Sequence, residues 1–143
     1  MTLIPAAAAN AVGNTTMSSM VSPYNCLTTT TSGTVNNLST TSCGTSSTQK
    51  WTSSSSHPYE LISVATGKCL TDNVGVFGVY MSACTNATTQ RWTFTGLSGL
   101  GTFQSVSSGP RLWSNAAGTV KHAICTGSAG STGWKLPEIG IWG

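Results

Sequence analysis

The stretch Gln90-Arg91-Trp92 decides the fold, because the chain carries a version of this triplet in three places. The earlier version is Gln49-Lys50-Trp51 and the later one is Thr132-Gly133-Trp134, and the tryptophans are separated by 41 and 42 residues. Low sequence complexity could produce similar runs of Ser and Thr, but it would not place tryptophans in register. We therefore interpret the 143 residues as three repeats of about 41 residues each.

Two further landmarks recur with the same period. One is a set of cysteines separated by 41 residues each, namely Cys43, Cys84 and Cys125. The other is a set of dipeptides separated by 43 and 42 residues, namely Cys26-Leu27, Cys69-Leu70 and Arg111-Leu112. A unit of about forty residues made of short strands cannot bury its own apolar face, so the three copies are expected to pack around a shared axis.

The composition favours β structure throughout. Charged residues make up only 6% of the chain, while 24 Thr and 21 Ser supply its polarity and 38% of the residues are hydrophobic. Segments such as 60–64 and 76–81 have the length of strands and are rich in Val and other residues that suit strands. Apart from an Ala-rich run at residues 6–9, no segment suggests the apolar period of a helix. The sequence predicts an all-β domain.

The residues of the middle repeat resemble one known family. Gly67-Lys68-Cys69-Leu70, followed by Cys84 and then by Gln90-Arg91-Trp92-Thr93-Phe94, resembles the ricin B-chain type of β-trefoil with its Gln-x-Trp repeats. The first repeat lacks the glycine before its Cys-Leu pair, and the third has lost its first cysteine and its glutamine. The resemblance implies a closed β-trefoil of three lobes.

The repeat also predicts the organisation of the chain. The resemblance covers residues 18–136, divided into lobes at 18–57, 58–99 and 100–136. Residues 1–17 are expected to form an N-terminal extension and residues 137–143 a C-terminal tail. Within each lobe the tryptophan (Trp51, Trp92 or Trp134) is expected to be a core wedge. In lobes one and two, a glutamine (Gln49 or Gln90) stands two residues before the tryptophan. Each glutamine is expected to bond to backbone of its own lobe, because a buried amide needs partners.

The five cysteines fit the lobes. Two in-lobe pairs are expected, Cys26 with Cys43 and Cys69 with Cys84, and such bridges indicate a secreted protein. Because Arg111 stands where the third lobe would have its first cysteine, Cys125 is expected to be a buried free thiol or a bridge to another chain. The spacings do not resemble Cys-x-x-Cys metal sites, and with two histidines we expect no metal and no cofactor.

Charge and motifs exclude several functions. The net charge is +3 and its six cations are scattered singly, whereas an electrostatic nucleic-acid binder needs a basic cluster. No apolar run approaches the roughly 20 residues of a membrane span. The three acids and two histidines are far apart, and no catalytic motif surrounds them. We expect no enzyme activity.

The resemblance implies sugar-binding positions in each lobe: an acid after the Cys-Leu pair, an aromatic residue before the second cysteine, and an Asn beside the glutamine. An acid accepts from vicinal hydroxyls, and a ring covers the apolar face of a sugar. At these positions lobe two carries Thr71, Ser82 and Thr89. Lobe one carries Thr28, Thr41 and Thr48, and lobe three carries Trp113, Ala123 and Ser131.

Lobe two alone keeps a candidate sugar site, composed of Asp72, Tyr80, Asn86 and Gln90. Asp72 stands one residue after the acid position, and a one-residue bulge could realign it. The structural alternative for Asp72 with Asn73 is a simple turn, since both residue types favour turns. These residues favour a non-catalytic, lectin-like module that binds a glycan or glycoprotein.

A second function stays open. Degenerate sugar positions and an apolar tail with Ile139, Ile141 and Trp142 resemble the trefoil subunits of cytolethal distending toxins. That resemblance implies a subunit that docks on another chain of a secreted assembly or on a host receptor. Trp113 either packs inside the protein, as most tryptophans do for most of their surface, or is exposed beside Trp142, where the two rings would form an apolar patch for such a partner. A protease inhibitor of the trefoil type is a third possibility, although no loop resembles a substrate.

Overall fold

Short segments rich in threonine, serine and valine, which are residue types that suit strands, form short antiparallel strands. The structure is a computed structural model that describes residues 14–29, 38–54, 57–73, 78–97, 99–107, 109, 111–115, 120–123 and 130–136. The first seven strands are β1 (Ser18–Ser19), β2 (Cys26–Thr29), β3 (Leu38–Thr41), β4 (Trp51–Ser54), β5 (His57–Ser63), β6 (Cys69–Asn73) and β7 (Gly78–Ser82). The next six are β8 (Trp92–Leu97), β9 (Leu100–Ser105), β10 (Arg111–Asn115), β11 (Val120–Ala123), β12 (Gly130–Ser131) and β13 (Trp134–Lys135).

The same pattern of strand pairing occurs in three lobes, which confirms the expected all-β, pseudo-threefold architecture. From here on, lobes one, two and three denote β1–β4, β5–β8 and β9–β13. Each lobe has one inner hairpin, formed by β2–β3, β6–β7 or β10–β11. The first strand of each lobe pairs with this hairpin, and outer strands also pair between lobes, as β4–β5, β8–β9 and β13–β1. These pairings link each lobe to the next and return the last strand to the first.

The folded unit extends slightly beyond the boundaries that the repeat predicts. Thr15 forms a bridge with Trp51, and Met17 is fully buried in the core, although both residues fall in the expected N-terminal extension. β5 begins at His57, one residue before the expected start of the second lobe. Residues 1–13 and the tail 137–143 lie outside the described residues.

Three tryptophans occupy equivalent places at the centre of the core. All three are 0% exposed, and each donates its indole N–H to a leucine carbonyl of its own lobe at 3.0–3.1 Å. The pairs are Trp51–Leu27, Trp92–Leu70 and Trp134–Leu112. Each bond ties the start of an outer strand to the inner hairpin of the same lobe, so the tryptophan is the wedge that the repeat predicts.

Disulfides close the inner hairpins of the first two lobes. Cys26 is bonded to Cys43 and Cys69 to Cys84, which confirms both predicted pairs. Cys125 lies outside the described residues. Among the described residues the helical elements are two three-residue 3-10 turns, Ser47–Gln49 and Thr88–Gln90, and no helix there is long and apolar enough to cross a membrane.

Candidate functional site

The two glutamines of the repeated triplets hold the scaffold around the candidate site. Gln90 Nε2 donates to Thr71 Oγ1 at 3.1 Å and to the Ala83 carbonyl at 2.8 Å, while its Oε1 accepts from the Thr85 N–H at 2.8 Å. Its amide therefore joins β6 to the loop that follows β7. Because the side chain is 2% exposed and its polar atoms are bonded within the lobe, Gln90 is a framework residue.

Lobe one repeats this arrangement almost atom for atom. Gln49 Nε2 donates to Thr28 Oγ1 at 3.1 Å and to the Ser42 carbonyl at 2.8 Å, and its Oε1 accepts from the Gly44 N–H at 2.7 Å. The side chain of Gln49 is buried as well. The backbone bonds expected from the sequence are therefore present in both lobes, together with a threonine hydroxyl that the sequence analysis did not anticipate.

The structure separates Asp72 from Tyr80. In the β6–β7 hairpin Thr71 stands opposite Tyr80 and Asp72 stands opposite Val79. The register runs without a shift from Cys69 to Asn73, so the bulge that would realign Asp72 does not occur there. Successive side chains of a strand point to opposite faces. Asp72 therefore faces inward with Val79, and Tyr80 lies on the outer face.

Asp72 takes part in a repeated contact between lobes. It is 2% exposed, and its Oδ2 accepts from Ser105 Oγ of lobe three at 2.7 Å. The equivalent contacts between the other lobes join Thr29 to Ser63 at 3.4 Å and Ser114 to Ser19 at 2.6 Å. All six side chains are buried. We call these three contacts the interlobe belt, and they make Asp72 a framework residue in place of the expected sugar ligand.

The second described acid is also part of the framework. Glu60 is 1% exposed, and its Oε2 lies 3.0 Å from Cys69 Sγ of the lobe-two disulfide. Glu60, Cys69 and Cys84 place their ligand atoms within 4.8 Å of one another, which is close enough for a metal ion. Because the two sulfurs are bonded to each other, neither is a thiolate, the form that binds metals.

The outer face of lobe two carries the remaining candidate ligands. Tyr80 is 37% exposed and lies opposite Thr71, whose hydroxyl is held by Gln90. Asn86 is exposed in the loop after β7, with a φ of 62°, a left-handed conformation that Asn adopts more readily than most residues. The Asn86 Oδ1 accepts from Arg91 Nη2 at 3.0 Å.

Arg91 is the residue that the sequence analysis missed. It is half-buried and stands between the fully or nearly fully buried Gln90 and Trp92. The repeated triplet could have indicated that Arg91 faces the surface, because a polar residue between two buried residues of an extended segment points away from the core. Lobe one has Lys50 at this position and lobe three has Gly133, so lobe two alone places a guanidinium there.

The outer faces of the other lobes differ. In lobe one Thr28 stands opposite Ser39, and the Thr28 hydroxyl also bonds the Thr41 hydroxyl at 2.8 Å. In lobe three Trp113 stands opposite Lys121 and is only 6% exposed. Of the two alternatives for Trp113, packing inside the protein is the one that the structure shows, and an exposed apolar patch does not form at this residue. Trp142 lies outside the described residues, as do the side chains of His57 and His122.

Comparison with known proteins supports the fold. No family model and no curated protein matches the chain. Among solved structures, the designed threefold-symmetric protein ThreeFoil is similar to this chain, with a TM-score of 0.72 and 18% sequence identity. The match covers 88% of this chain and 99% of ThreeFoil. A chain of the cytolethal distending toxin of Haemophilus ducreyi is also similar, with a TM-score of 0.67 and 19% sequence identity. That match covers 95% of this chain and 87% of the toxin chain.

A larger protein contains a similar domain. The hemolytic lectin CEL-III matches 88% of this chain with a TM-score of 0.70 and 18% identity, and the matched part is 30% of its length. The structural neighbours are thus β-trefoil proteins that include lectins and toxin subunits. Together with the three lobes and their repeated Trp and Gln bonds, these matches define the chain as a β-trefoil, as its sequence predicts.

Proposed function

We propose that this chain is a non-catalytic carbohydrate-binding module of a secreted protein, with its sugar site on the outer face of lobe two. The observation that carries the proposal is the exposed ring of Tyr80 on a face whose neighbouring polar groups are held in place by Gln90. A tyrosine ring can cover the apolar face of a sugar while its hydroxyl bonds to water or ligand. Asn86 supplies an exposed amide in the adjoining loop.

Three further observations support this reading. Lectins occur among the proteins with the same fold. Both described acids are buried and contact framework residues, so neither is placed to act on a substrate in solvent. The two disulfides favour an oxidising compartment and therefore secretion.

A glycan array with matched variants tests the proposal. We expect the intact chain to bind a subset of glycans and Tyr80→Ala to lose most of that binding while its melting temperature stays close to that of the parent. Tyr59→Ala is the control, because Tyr59 is 52% exposed and lies on a different strand, β5. Absence of binding to every glycan, or equal loss in both variants, would contradict the proposal.

A protein-docking or receptor-binding subunit of a toxin-like assembly is the second candidate. Its support is a set of three equivalent exposed apolar residues, each after the first strand of its lobe: Met20, Val64 and Val106. Each donates its backbone N–H to the residue before a core tryptophan, namely Gly133, Lys50 or Arg91. The match to a cytolethal distending toxin adds to this support.

The two candidates predict different results with the same protein. A docking subunit would be silent on the array and would co-elute with a second chain from the culture medium that contains it. Changing Met20, Val64 and Val106 together to Ser would then abolish co-elution, whereas Tyr80→Ala would not. Deletion of residues 137–143 should likewise leave folding cooperative and remove the partner. Retained glycan binding without a second chain would rule out this candidate.

A further inference from the structure

The charges of the described residues are divided unequally between core and surface. Of the three acids in the chain, Glu60 and Asp72 are 1% and 2% exposed, and Glu138 lies outside the described residues. The described cations are half-buried or exposed, and they are Lys50, Lys68, Arg91, Arg111 and Lys135. The described surface therefore presents positive charge without an exposed acid, which favours ligands with negative charge.

The scaffold holds Arg91 through both its backbone and its side chain. Its backbone N–H donates to the Thr88 carbonyl at 3.1 Å, and its own carbonyl accepts from the Val106 N–H at 3.0 Å. Its guanidinium donates from Nη2 to Asn86 Oδ1 at 3.0 Å. A guanidinium has five N–H donors in a planar fork that matches a carboxylate or sulfate, so this bond orients the group and leaves donors for a ligand.

Lobe two combines this oriented cation with an aromatic ring. The Thr71–Gln90 hydrogen bond connects the strand pair that carries Tyr80 to the residue that precedes Arg91: Tyr80 stands opposite Thr71 in the hairpin, and Arg91 follows Gln90 in the sequence. In lobe one the residue opposite Thr28 is Ser39, so the ring is missing there. Lobe three has Gly133 in place of the cation.

We propose that the lobe-two site is specific for acidic glycans, with Arg91 binding a carboxylate or sulfate group of the sugar and Tyr80 covering the sugar ring. This inference rests on the carbohydrate-binding function proposed above. The described cations belong to all three lobes, and a single guanidinium held by Asn86 suits one sugar-borne anion, whereas a polyanion calls for a basic cluster. An uncharged sugar would leave the guanidinium without its ligand.

Lys50 provides a matched control within the same molecule. Its backbone N–H donates to the Ser47 carbonyl at 3.1 Å and its carbonyl accepts from the Val64 N–H at 3.0 Å, which repeats the two backbone bonds of Arg91. Lys50 thus occupies the same place in lobe one with a point charge in place of a planar fork. If net charge alone attracts the ligand, neutralising Lys50 or Arg91 has the same effect.

The test measures binding of sialyllactose, lactose and sulfated lactose to the intact chain at low salt. We expect both acidic sugars, or one of them, to bind at least on the order of tenfold more tightly than lactose. Arg91→Gln should remove that preference, Arg91→Lys should restore part of it, and Lys50→Gln should leave it unchanged. Comparison of the sialylated with the sulfated sugar identifies which anion is preferred. Thermal melts of all variants check that the fold is intact.

The outcomes that overturn the inference differ from those that overturn the proposed function. Equal affinity for lactose and the acidic sugars, or an acid preference that Arg91→Gln retains, would overturn the acidic-glycan inference and leave carbohydrate binding in place. Binding to no glycan would overturn both. Binding of phosphatidylserine vesicles with the same dependence on Arg91, without binding of the sugars, would assign Arg91 to a membrane surface and would also overturn it.

Discussion

Lobes one and two share a framework and differ on the surface. Both have a disulfide across the inner hairpin, a buried glutamine bonded to three parts of the lobe, and a core tryptophan bonded to a leucine carbonyl. On the outer face, however, Ser39 of lobe one corresponds to Tyr80 of lobe two, and Lys50 corresponds to Arg91. The shared residues hold the fold in both lobes, and the proposed recognition by lobe two is assigned to the surface residues that lobe one lacks.

The core tryptophans should give the largest effects, and the effects should be alike. Trp51→Ala and Trp92→Ala each remove a fully buried ring and leave a leucine carbonyl without its indole donor. We expect each to lower the free energy of unfolding by about 3–5 kcal/mol, measured by urea denaturation. A cost in one lobe of less than half that in the other would show that the two frameworks are not equivalent.

The disulfides should come next. Cys26 and Cys43 are 17 residues apart and Cys69 and Cys84 are 15 apart, so loop closure predicts about 3 kcal/mol for each bridge. We expect the Cys26→Ala/Cys43→Ala and Cys69→Ala/Cys84→Ala double variants to lose similar stability in urea. Glu60 contacts the lobe-two disulfide and not the lobe-one disulfide. A larger loss of unfolding free energy in the Cys69→Ala/Cys84→Ala variant would therefore be assigned to the Glu60 contact.

The interlobe belt distinguishes the lobes by a smaller amount. Ser105 donates to the Asp72 carboxylate at 2.7 Å, whereas the equivalent Ser63 contacts the Thr29 hydroxyl at 3.4 Å. Hydrogen bonds to charged groups are worth about 1.5–3 kcal/mol and neutral ones about 0.5–1.5 kcal/mol. Ser63 Oγ also accepts from the Thr66 N–H at 3.3 Å, but both of these bonds are long and neutral. We therefore expect Ser105→Ala to be more destabilising than Ser63→Ala in urea. The reverse order would contradict the role given to Asp72.

The framework could be predicted from the sequence because its residues are distinctive. Trp92 and Cys84 recur at a fixed period and have few other uses in a chain dominated by Thr and Ser, so their spacing predicted three repeats. The resemblance of the middle repeat to the ricin B-chain type implied the β-trefoil, and the aligned lobes then gave both disulfides. Few residue types can serve at these positions, since a core wedge must be large and a bridge needs two sulfurs.

The surface could not be predicted in the same way, because it depends on strand register. A shift of one residue moves a side chain to the opposite face of a strand. Asp72 is one residue from the expected acid position, and that single step places it in the core with Ser105 while Tyr80 stays outside. Trp113 shows a second reason, which is that burial depends on residues distant in the sequence. Its position in the repeat indicates which face of the strand it lies on, but packing by the rest of the protein determines that only 6% of it is exposed.

The central claim is that recognition is confined to the outer face of lobe two. Backbone amide shifts followed by NMR during titration with sialyllactose test it most directly. We predict that the largest shifts occur at Thr71, Tyr80, Asn86 and Arg91, with Thr28, Ser39 and Lys50 of lobe one unchanged. Equal shifts in lobes one and two, or shifts centred on Met20, Val64 and Val106, would contradict the account.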